Sequence, residues 1–429
     1  MIEPPKEPAT VASDLGRSGF IKSTFASIRY RDFAYLWFGQ NAHGFAIWID
    51  MIAQPLLVLF LTDSPVHLGM VLLARTVPGI ALGPLGGAMA DGFNRRAVLL
   101  LSKVAILLVS MVFAAALLFD TYALWTVYVY AVLRGATMAF DMPARRAMIP
   151  SIVPRELVTN AMALSTWSMT VTRIAGAAVS GYMVAFIGFG SVYVVVCAMY
   201  AGAVFFTWKM RLPDHKPEGY QGIRSMGSET IDGLRYVWQT PPIRAVVTFA
   251  FGYFTFGMAF MQVFAPLFAT REDIFNIGDG GFGTMMAVSA IGGTMGALGL
   301  AAANPHRRRG IIMIGVMGAF GLLLMAFALS AQINSVILGF VVMFMLGIGQ
   351  SSFQPLINSV AVELTPDNMR GRVIGVISLD RATIALGGAI AGVLAGALNP
   401  VIAQALFGLV CVATAAVFFL GYPTLRKID

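Results

Sequence analysis

Charged residues and cysteines are scarce in this chain, and each scarcity excludes a class of protein. Only 12% of the 429 residues are charged, whereas 58% are hydrophobic. A soluble domain carries about 25% charged residues, so this composition is typical of a membrane protein. The two cysteines, Cys197 and Cys411, both lie inside apolar runs and provide no disulfide framework.

The motifs of catalysis, metal binding and nucleotide hydrolysis are also missing. The four histidines are scattered, with no HExxH motif, and the sequence contains no GxxxxGK[ST] loop. No nucleophile with a neighbouring base is visible. The net charge of +8 does not indicate a nucleic-acid partner, because no basic run is interleaved with aromatic residues. We therefore expect neither an enzyme nor an ATP-driven pump, and no metal or cofactor.

Long apolar segments are what the sequence has in abundance. A helix needs about 20 mainly apolar residues to cross the hydrocarbon core of a bilayer, and these runs lack the two-residue alternation of barrel strands. Twelve helical spans are predicted, near 33–61, 68–90, 96–119, 122–146, 159–188, 190–209, 243–268, 281–303, 309–331, 334–359, 371–396 and 399–421.

The distribution of Lys and Arg predicts the orientation of these spans. Both termini and every even-numbered connection carry at least two basic residues, whereas the odd-numbered connections hold only Arg271. This alternation follows the positive-inside rule, so we expect a multi-pass protein of the cell membrane, the bacterial inner membrane, with both termini in the cytoplasm. The first 31 residues lack an apolar core followed by a cleavage site, which favours a cytosolic tail over a signal peptide.

The chain also contains an internal repeat. At one constant shift of 212 residues, Pro143 falls on Pro355 and Pro154 falls on Pro366. The same shift aligns Gly69 with Gly281, Gly176 with Gly388, and Arg95 and Arg96 with Arg307 and Arg308. Several matches at one shift imply duplicated halves, a pattern found in secondary transporters that bind substrate near mid-membrane between the halves. The predicted units are a cytosolic tail at 1–31, six-helix bundles at 32–209 and 243–423, a cytoplasmic linker at 210–242 and a cytosolic C-terminus at 424–429.

The segment GGAMADGFNRR, between spans 2 and 3, resembles the signature of the major facilitator superfamily. That signature has a Gly, an Asp four residues later and basic residues four and five positions beyond it, which are here Gly87, Asp91, Arg95 and Arg96. Gly92 and Asn94 stand where the signature usually has Arg and Gly. The resemblance implies an all-α membrane protein with twelve transmembrane helices in two pseudo-symmetric six-helix bundles.

The resemblance further implies a cytoplasmic gate. It places Asp91 against the start of span 11, near Arg372, and Arg95 near an acid at the cytoplasmic end of span 4, for which Asp141 is well placed. Such contacts form when the halves close on the cytoplasmic side, so they favour the outward-facing state. The alternative is that Arg95 and Arg96 serve only to fix the topology.

Two longer segments are similar to the branch of the superfamily that includes the enterobactin exporter. They are FDMPARRAMIPSIVPRELVTNAMAL and ELTPDNMRGRVIGVISLD. This resemblance implies a monomeric secondary active transporter that works by alternating access, an antiporter that exports small amphipathic molecules, siderophore or drug-like, in exchange for protons. An uptake carrier or uniporter for a polar metabolite is the alternative, and Ala177 stands where antiporters of the branch usually have Pro.

Polar residues within span 1 are the first candidates for ion coupling. A charge at mid-bilayer costs roughly 2.5–3.5 kcal/mol, so it requires a function or a partner. His43, Asp50 and Gln54 recur at helical spacing on one face, which we expect to look into a central cavity. Asp50 is the leading candidate for a protonatable coupling residue. The alternatives are a plain ion pair with Arg75 or Arg134, or a position near the outer surface.

Two further charges inside spans are coupling candidates. Arg134 resembles the span-4 arginine that the superfamily uses beside its proton site, and a structural pairing with Asp50 is equally open. Asp380 and Arg381 are adjacent in span 11, and neighbours in a helix cannot pair face to face. Arg173 in span 5 can snorkel or pair locally.

The predicted substrate cavity combines amide, aromatic, Met and cationic side chains, a mixture that suits amphipathic substrates. The shift of 212 residues places Gln262 opposite Asp50. The residues assigned to the cavity are Gln40, Asn41, His43, Trp48, Gln54, Arg75, Phe256, Met261 and Gln262. For any single aromatic or Met, packing against lipid or core is the alternative.

Overall fold

The computed structural model describes residues 25–211, 232–303 and 308–426. Within these ranges the chain forms helices and no strand, and ten of the helices are long and apolar enough to cross a membrane. One of the ten, Arg155–Lys209, contains Gly188 in a left-handed conformation (φ 72°), which divides it into two spans. A further helix, Leu124–Ile152, is also long enough to cross, with 29 residues. The described residues therefore contain all twelve predicted spans.

We number the spans α1 to α12 in chain order. Their bounds are Arg31–Thr62, Pro65–Gly92, Arg95–Leu118, Leu124–Ile152, 158–187, 189–209, Pro241–Thr270, Gly278–Ala303, Arg309–Gln332, Val336–Leu364, Arg370–Ala397 and Pro400–Gly421. The starts of α4 and α10, at 124 and 336, differ by the predicted 212 residues, and so do the starts of α5 and α11, at 158 and 370. The structure thus confirms the all-α fold with two related six-helix halves.

The parts outside the spans are only partly described. Most of the predicted tail at 1–31 and of the linker at 210–242 lies outside the described residues. Residues 232–239 form a short helix ahead of α7. The connection from α7 to α8 holds the one basic residue of the odd-numbered connections, and Arg271 Nε is 2.8 Å from Asp273 Oδ1. This hydrogen bond lowers the pKa of the Asp273 carboxyl below its usual value.

The outer surface of the helix bundle is apolar. Phe186, Ile337 and Leu420 are 82%, 81% and 74% exposed. Soluble monomers rarely expose large apolar areas of this kind, whereas a lipid-facing surface requires them. The side chains therefore face outward as a bilayer demands.

Two spans are irregular where the sequence predicts functional residues. α7 contains π-helical turns at Tyr253–Gly257 and Phe260–Phe264. α11 consists of the segments Arg370–Ile377 and Asp380–Ala397, with a break between them. π-Helical turns occur frequently at functional sites, because they re-aim side chains within a helix.

Close glycine contacts join the two halves near the start of α2 and the end of α5. A Cβ on Gly69 of α2 would lie 2.3 Å from the carbonyl oxygen of Gly388 in α11. A Cβ on Gly181 of α5 would lie 2.2 Å from the carbonyl oxygen of Asp279 in α8. Only glycine permits such approaches, which are typical of tightly packed membrane helices. These contacts form a seal between the halves, which we call the glycine seal.

Candidate transport site

Asp50 lies inside the N-terminal half in a fully enclosed ion pair. Its Oδ2 is 2.7 Å from Arg134 Nε, and its Oδ1 accepts a hydrogen bond from the Tyr193 hydroxyl at 2.7 Å. Asp50 is 0% exposed and Arg134 is 2% exposed. Of the two partners considered from sequence, the structure brings Arg134 into contact. The pair joins α1, α4 and α6 within one half, whereas the sequence analysis expected Asp50 to look into a central cavity.

A second buried group of charges surrounds Asp141 of α4. Its carboxylate oxygens lie 3.4 Å from Lys103 Nζ, 3.5 Å from Arg145 Nε and 3.7 Å from His43 Nε2. All four side chains are buried. The resemblance placed Asp141 opposite Arg95, but the ion pairs found for it are with these inward-facing cations. The reason is physical: Lys103 is only 2% exposed and needs a counter-charge inside the bundle.

A small cavity lies between these two groups. Its lining includes His43, Asp141, Arg134 and Tyr200, so it adjoins both the Asp141 cluster and the Asp50 pair. Sequence reasoning missed Lys103, although a lysine within the apolar run of α3 carries the same insertion penalty that singled out the other charges. Tyr193 and Tyr200 gave no comparable signal, because tyrosine is common in membrane helices.

A different cavity lies between the halves. Gln54 of α1, Arg75 of α2 and Gln262 of α7 all line it, so the structure brings three predicted cavity residues together from both halves. Gln54 is 2% exposed, and its Nε2 has no hydrogen-bond partner among the described residues. The three residues on one face of α1 thus point into three environments: His43 to the Asp141 cluster, Asp50 to Arg134, and Gln54 to this cavity.

The other cavity candidates of α1 are engaged within the N-terminal half. Gln40 donates from Nε2 to the carbonyl oxygen of Ser165 at 2.9 Å. Asn41 donates to a carbonyl oxygen of its own helix at 2.8 Å. Trp48 lies against Gly176 of α5, where an added Cβ would come within 2.8 Å of the tryptophan Cβ. These contacts position α1 on α5.

The candidates on α7 pack within the C-terminal half. The Phe256 ring lies 5.4 Å from the ring of Phe407, in an edge-to-face arrangement. Gln350 donates from Nε2 to Met261 Sδ at 3.1 Å. Of the three candidates on α7, Gln262 is the one that lines the cavity between the halves.

The charges of α11 lie at the break in that helix. Asp380 is the first residue of the second segment, and its Oδ1 accepts from the backbone N–H of Arg381 at 2.7 Å. Their side chains form no ion pair within 4.0 Å. Arg381 instead reaches Met142 of α4, in the other half, with Nη2 2.9 Å from Sδ. Arg173 donates to the carbonyl oxygen of Ala290 in α8, at 3.5 Å.

The predicted gate residues lie near the ends of α2, α3 and α11. Gly87 is in the last turns of α2, and the side chain of Asp91 lies outside the described residues. Arg96 donates to carbonyl oxygens of Thr207 and Trp208 at the end of α6, which suits a cation at a helix C-terminus. Arg372 Nη1 is 4.0 Å from an Asp232 carboxylate oxygen.

One departure from the signature has a structural reason. Asn94, which stands in place of the usual Gly, is the N-cap of α3, and its side chain accepts from the backbone N–H groups of Arg96 and Ala97. Asn is among the best N-cap residues.

Comparison with known proteins yields transporters throughout. The family model of the Major Facilitator Superfamily matches residues 36–383. The multidrug efflux pump Tap of Mycolicibacterium fortuitum is 28% identical over 392 residues, covering 89% of this chain and 93% of that protein. The staphyloferrin A transporter of Staphylococcus aureus is 23% identical, covering 87% and 91%. A solved POT family transporter in complex with 5-aminolevulinic acid has a TM-score of 0.74 at 13% identity, covering 92% of this chain and 97% of that one.

The family match spans most of the chain, and the twelve helices, the repeated halves and the charged residues buried between helices agree with it. The chain belongs to the Major Facilitator Superfamily and is a multi-pass membrane transporter, not an enzyme.

Proposed function

We propose that this transporter exports small amphipathic organic molecules, siderophore or drug-like, in exchange for protons, by alternating access. The observation that carries the proposal is the enclosed pair of Asp50 and Arg134, at 2.7 Å. Protonation of Asp50 removes the only carboxylate that contacts the Arg134 guanidinium within the described chain. In a medium of low dielectric constant, the loss of one counter-charge has a large energetic effect. Proton binding can therefore shift the packing of α1, α4 and α6.

The polar cavity beside this pair supports a route for the proton. His43, Asp141 and Arg134 all line it, so an ionisable chain leads from the Asp141 cluster to Asp50. A water molecule or a rotating imidazole can carry a proton over such a distance, because histidine both donates and accepts.

The basic connections and the relatives support the direction of transport. If the basic connections face the cytoplasm, as the positive-inside rule requires, the glycine seal lies on the outer side and the described conformation opens inward. Substrate then enters from the cytoplasm, as export requires. The gate of Gly87, Asp91, Arg95, Arg96, Asp141 and Arg372 belongs to the opposite conformation, in which the cytoplasmic ends meet. The efflux pump Tap, at 28% identity, supports export.

Proton flux in reconstituted liposomes tests the proposal. Purified protein is incorporated with a pH-sensitive dye inside, and amphipathic drugs, siderophores and polar metabolites are added in turn. We expect at least one amphipathic compound to drive proton movement, and Asp50→Asn to abolish it. Asp120→Asn is the matched control, because Asp120 is exposed at the end of α3 and adopts a left-handed conformation (φ 52°) that Asn tolerates.

Substrate movement without a proton signal, at equal rates in wild type and Asp50→Asn, would overturn the coupling. The protein would then be a uniporter or use another ion, and Asp50 would be a structural charge. Transport confined to polar metabolites, running inward down their gradient, would favour the uptake alternative.

A further inference from the structure

The cavity between the halves holds an arginine without an acidic partner. Arg75 is the eleventh residue of α2, about 15 Å from the start of that helix and thus near mid-membrane. Among the described residues, no carboxylate lies within 4.0 Å of its guanidinium. Asp50 acts on Arg75 only at longer range, because its carboxylate is held by Arg134 and Tyr193. A guanidinium in this position leaves donors and a positive charge uncompensated.

Two amides complete a set of hydrogen-bond donors around the same space. Gln54 has an enclosed Nε2 without a partner, although the residue is only 2% exposed. Gln262 approaches from the π-helical turn Phe260–Phe264 of α7 and lines the same cavity. A buried donor that is left unsatisfied is costly, so its retention indicates a ligand that accepts from it.

The rest of the lining is aliphatic. Pro55 and Val58 of α1 and Leu68, Val71 and Leu72 of α2 form the walls. One end of the cavity therefore presents charge and amide donors, and the remainder presents hydrocarbon. The chemistry complementary to both is an oxyanion attached to an apolar body.

We propose that Arg75, Gln54 and Gln262 form a subsite for the carboxylate of an amphipathic organic anion. The planar guanidinium binds the carboxylate in a bidentate manner, and the amides donate to its remaining lone pairs. This assignment deepens the proposed function, because it names the substrate class. It rests on that function only in treating the bound anion as cargo.

The position of the subsite links binding to the contact between the halves. Leu68 adjoins Gly69 of the glycine seal, while Gln54 and Arg75 come from one half and Gln262 from the other. An anion bound here contacts both halves next to the seal. Binding therefore stabilises the arrangement in which the halves meet at this end.

Three probes of one shape but different charge test the subsite. 4-Butylbenzoate, 4-butylbenzamide and 4-butylbenzylamine are added to purified protein in detergent, and binding is followed by the shift in thermal unfolding temperature across a concentration series. We expect the benzoate to bind more tightly than the amide and the amine. Arg75→Gln weakens benzoate binding by about tenfold or more, the effect of one charged hydrogen-bonding partner.

Three further variants keep the test decisive. Gln262→Leu preserves the folded bundle and removes only a donor, so it lowers benzoate affinity with little effect on the benzamide. Arg75→Lys keeps the charge without the planar fork and retains part of the affinity. Arg155→Gln, at an exposed position outside the cavity, leaves all three affinities unchanged. If Arg75→Gln fails to fold, Gln262→Leu and Arg75→Lys carry the comparison.

The assignment is overturned if the benzoate does not bind, if the benzylamine binds as tightly, or if benzoate binding survives unchanged in the Arg75 and Gln262 variants. The assay uses no gradient, so its failure is separate from that of proton coupling. Benzoate binding through Arg75 without proton flux refutes only the coupling. Proton-coupled export of cations without benzoate binding refutes only the subsite.

Discussion

The substitution Asp50→Asn isolates the energetic consequence of the enclosed ion pair. The side chain keeps its shape, and its amide oxygen can still accept from Tyr193, but the Arg134 guanidinium is left in the bundle without a counter-charge. Arg134 is 2% exposed, so solvent cannot replace the lost carboxylate. Breaking a buried pair by removing one partner costs about 3–5 kcal/mol, and we expect the free energy of unfolding to fall by that amount.

Reversible unfolding in mixed micelles with increasing sodium dodecyl sulfate, followed by circular dichroism, measures this change. The double variant Asp50→Asn with Arg134→Gln removes the stranded charge as well. We expect it to be more stable than the sum of the two single variants by about 0.5–3 kcal/mol, the range for residues in direct contact. Asp120→Asn, at an exposed site, should stay within about 0.5 kcal/mol of wild type.

Two results would refute the reasoning. Wild-type stability of Asp50→Asn would mean that Arg134 finds another partner or solvent, and that the pair is not enclosed. Strict additivity of the two single variants would mean that Asp50 and Arg134 do not interact energetically, whatever the distance between them.

Three further predictions concern other parts of the molecule. Gly69→Ala places a Cβ 2.3 Å from a carbonyl oxygen of the other half, so the distance between spin labels on α2 and α11 should increase in double electron–electron resonance; Gly299→Ala, whose new Cβ meets nothing within 4 Å, should leave it unchanged. Asp141→Asn leaves its two neighbouring cations unpaired and should lower the free energy of unfolding by about 3–5 kcal/mol in the micelle assay, and a neutral effect would contradict the buried cluster. Asp273 is 56% exposed, so Asp273→Asn should change stability by less than about 1 kcal/mol. Because its hydrogen bond to Arg271 lowers the pKa of Asp273, this small contribution should be present above about pH 4 and lost as the pH falls through the lowered value; a difference between wild type and variant that persists at pH 2 would contradict it.

The spans and their relation were predictable because they depend on local composition. A run of apolar residues has one stable form in lipid, a helix that satisfies its own backbone, so length and hydrophobicity suffice to find it. The repeat was visible because Pro143 and Pro355 occupy equivalent places within α4 and α10. The turn at Gly188 and the break before Asp380 were not predicted, since small changes in backbone geometry leave little trace in composition.

The candidate site was only partly predictable from the sequence. Asp50, Arg134 and Gln262 stood out because a polar group in an apolar run carries an insertion penalty. The same argument applies to Lys103, which was overlooked. Periodicity placed His43, Asp50 and Gln54 on one face of α1, but a face does not identify what lies opposite. Tyr193 gave no signal, although its hydroxyl completes the coordination of the Asp50 carboxylate.

The sequence by itself determined the class of protein, the number of spans, the duplicated halves and the residues that carry charge into the membrane. Each depends on composition or spacing along one chain segment. Only the tertiary structure decided which charges meet: Asp50 with Arg134, Asp141 with Lys103 and Arg145, and Arg75 with no acid at all among the described residues. Pairing depends on distances of a few ångströms between side chains of different helices. Those distances are fixed by how the helices pack, and contacts such as that of Gly69 with Gly388 set the packing.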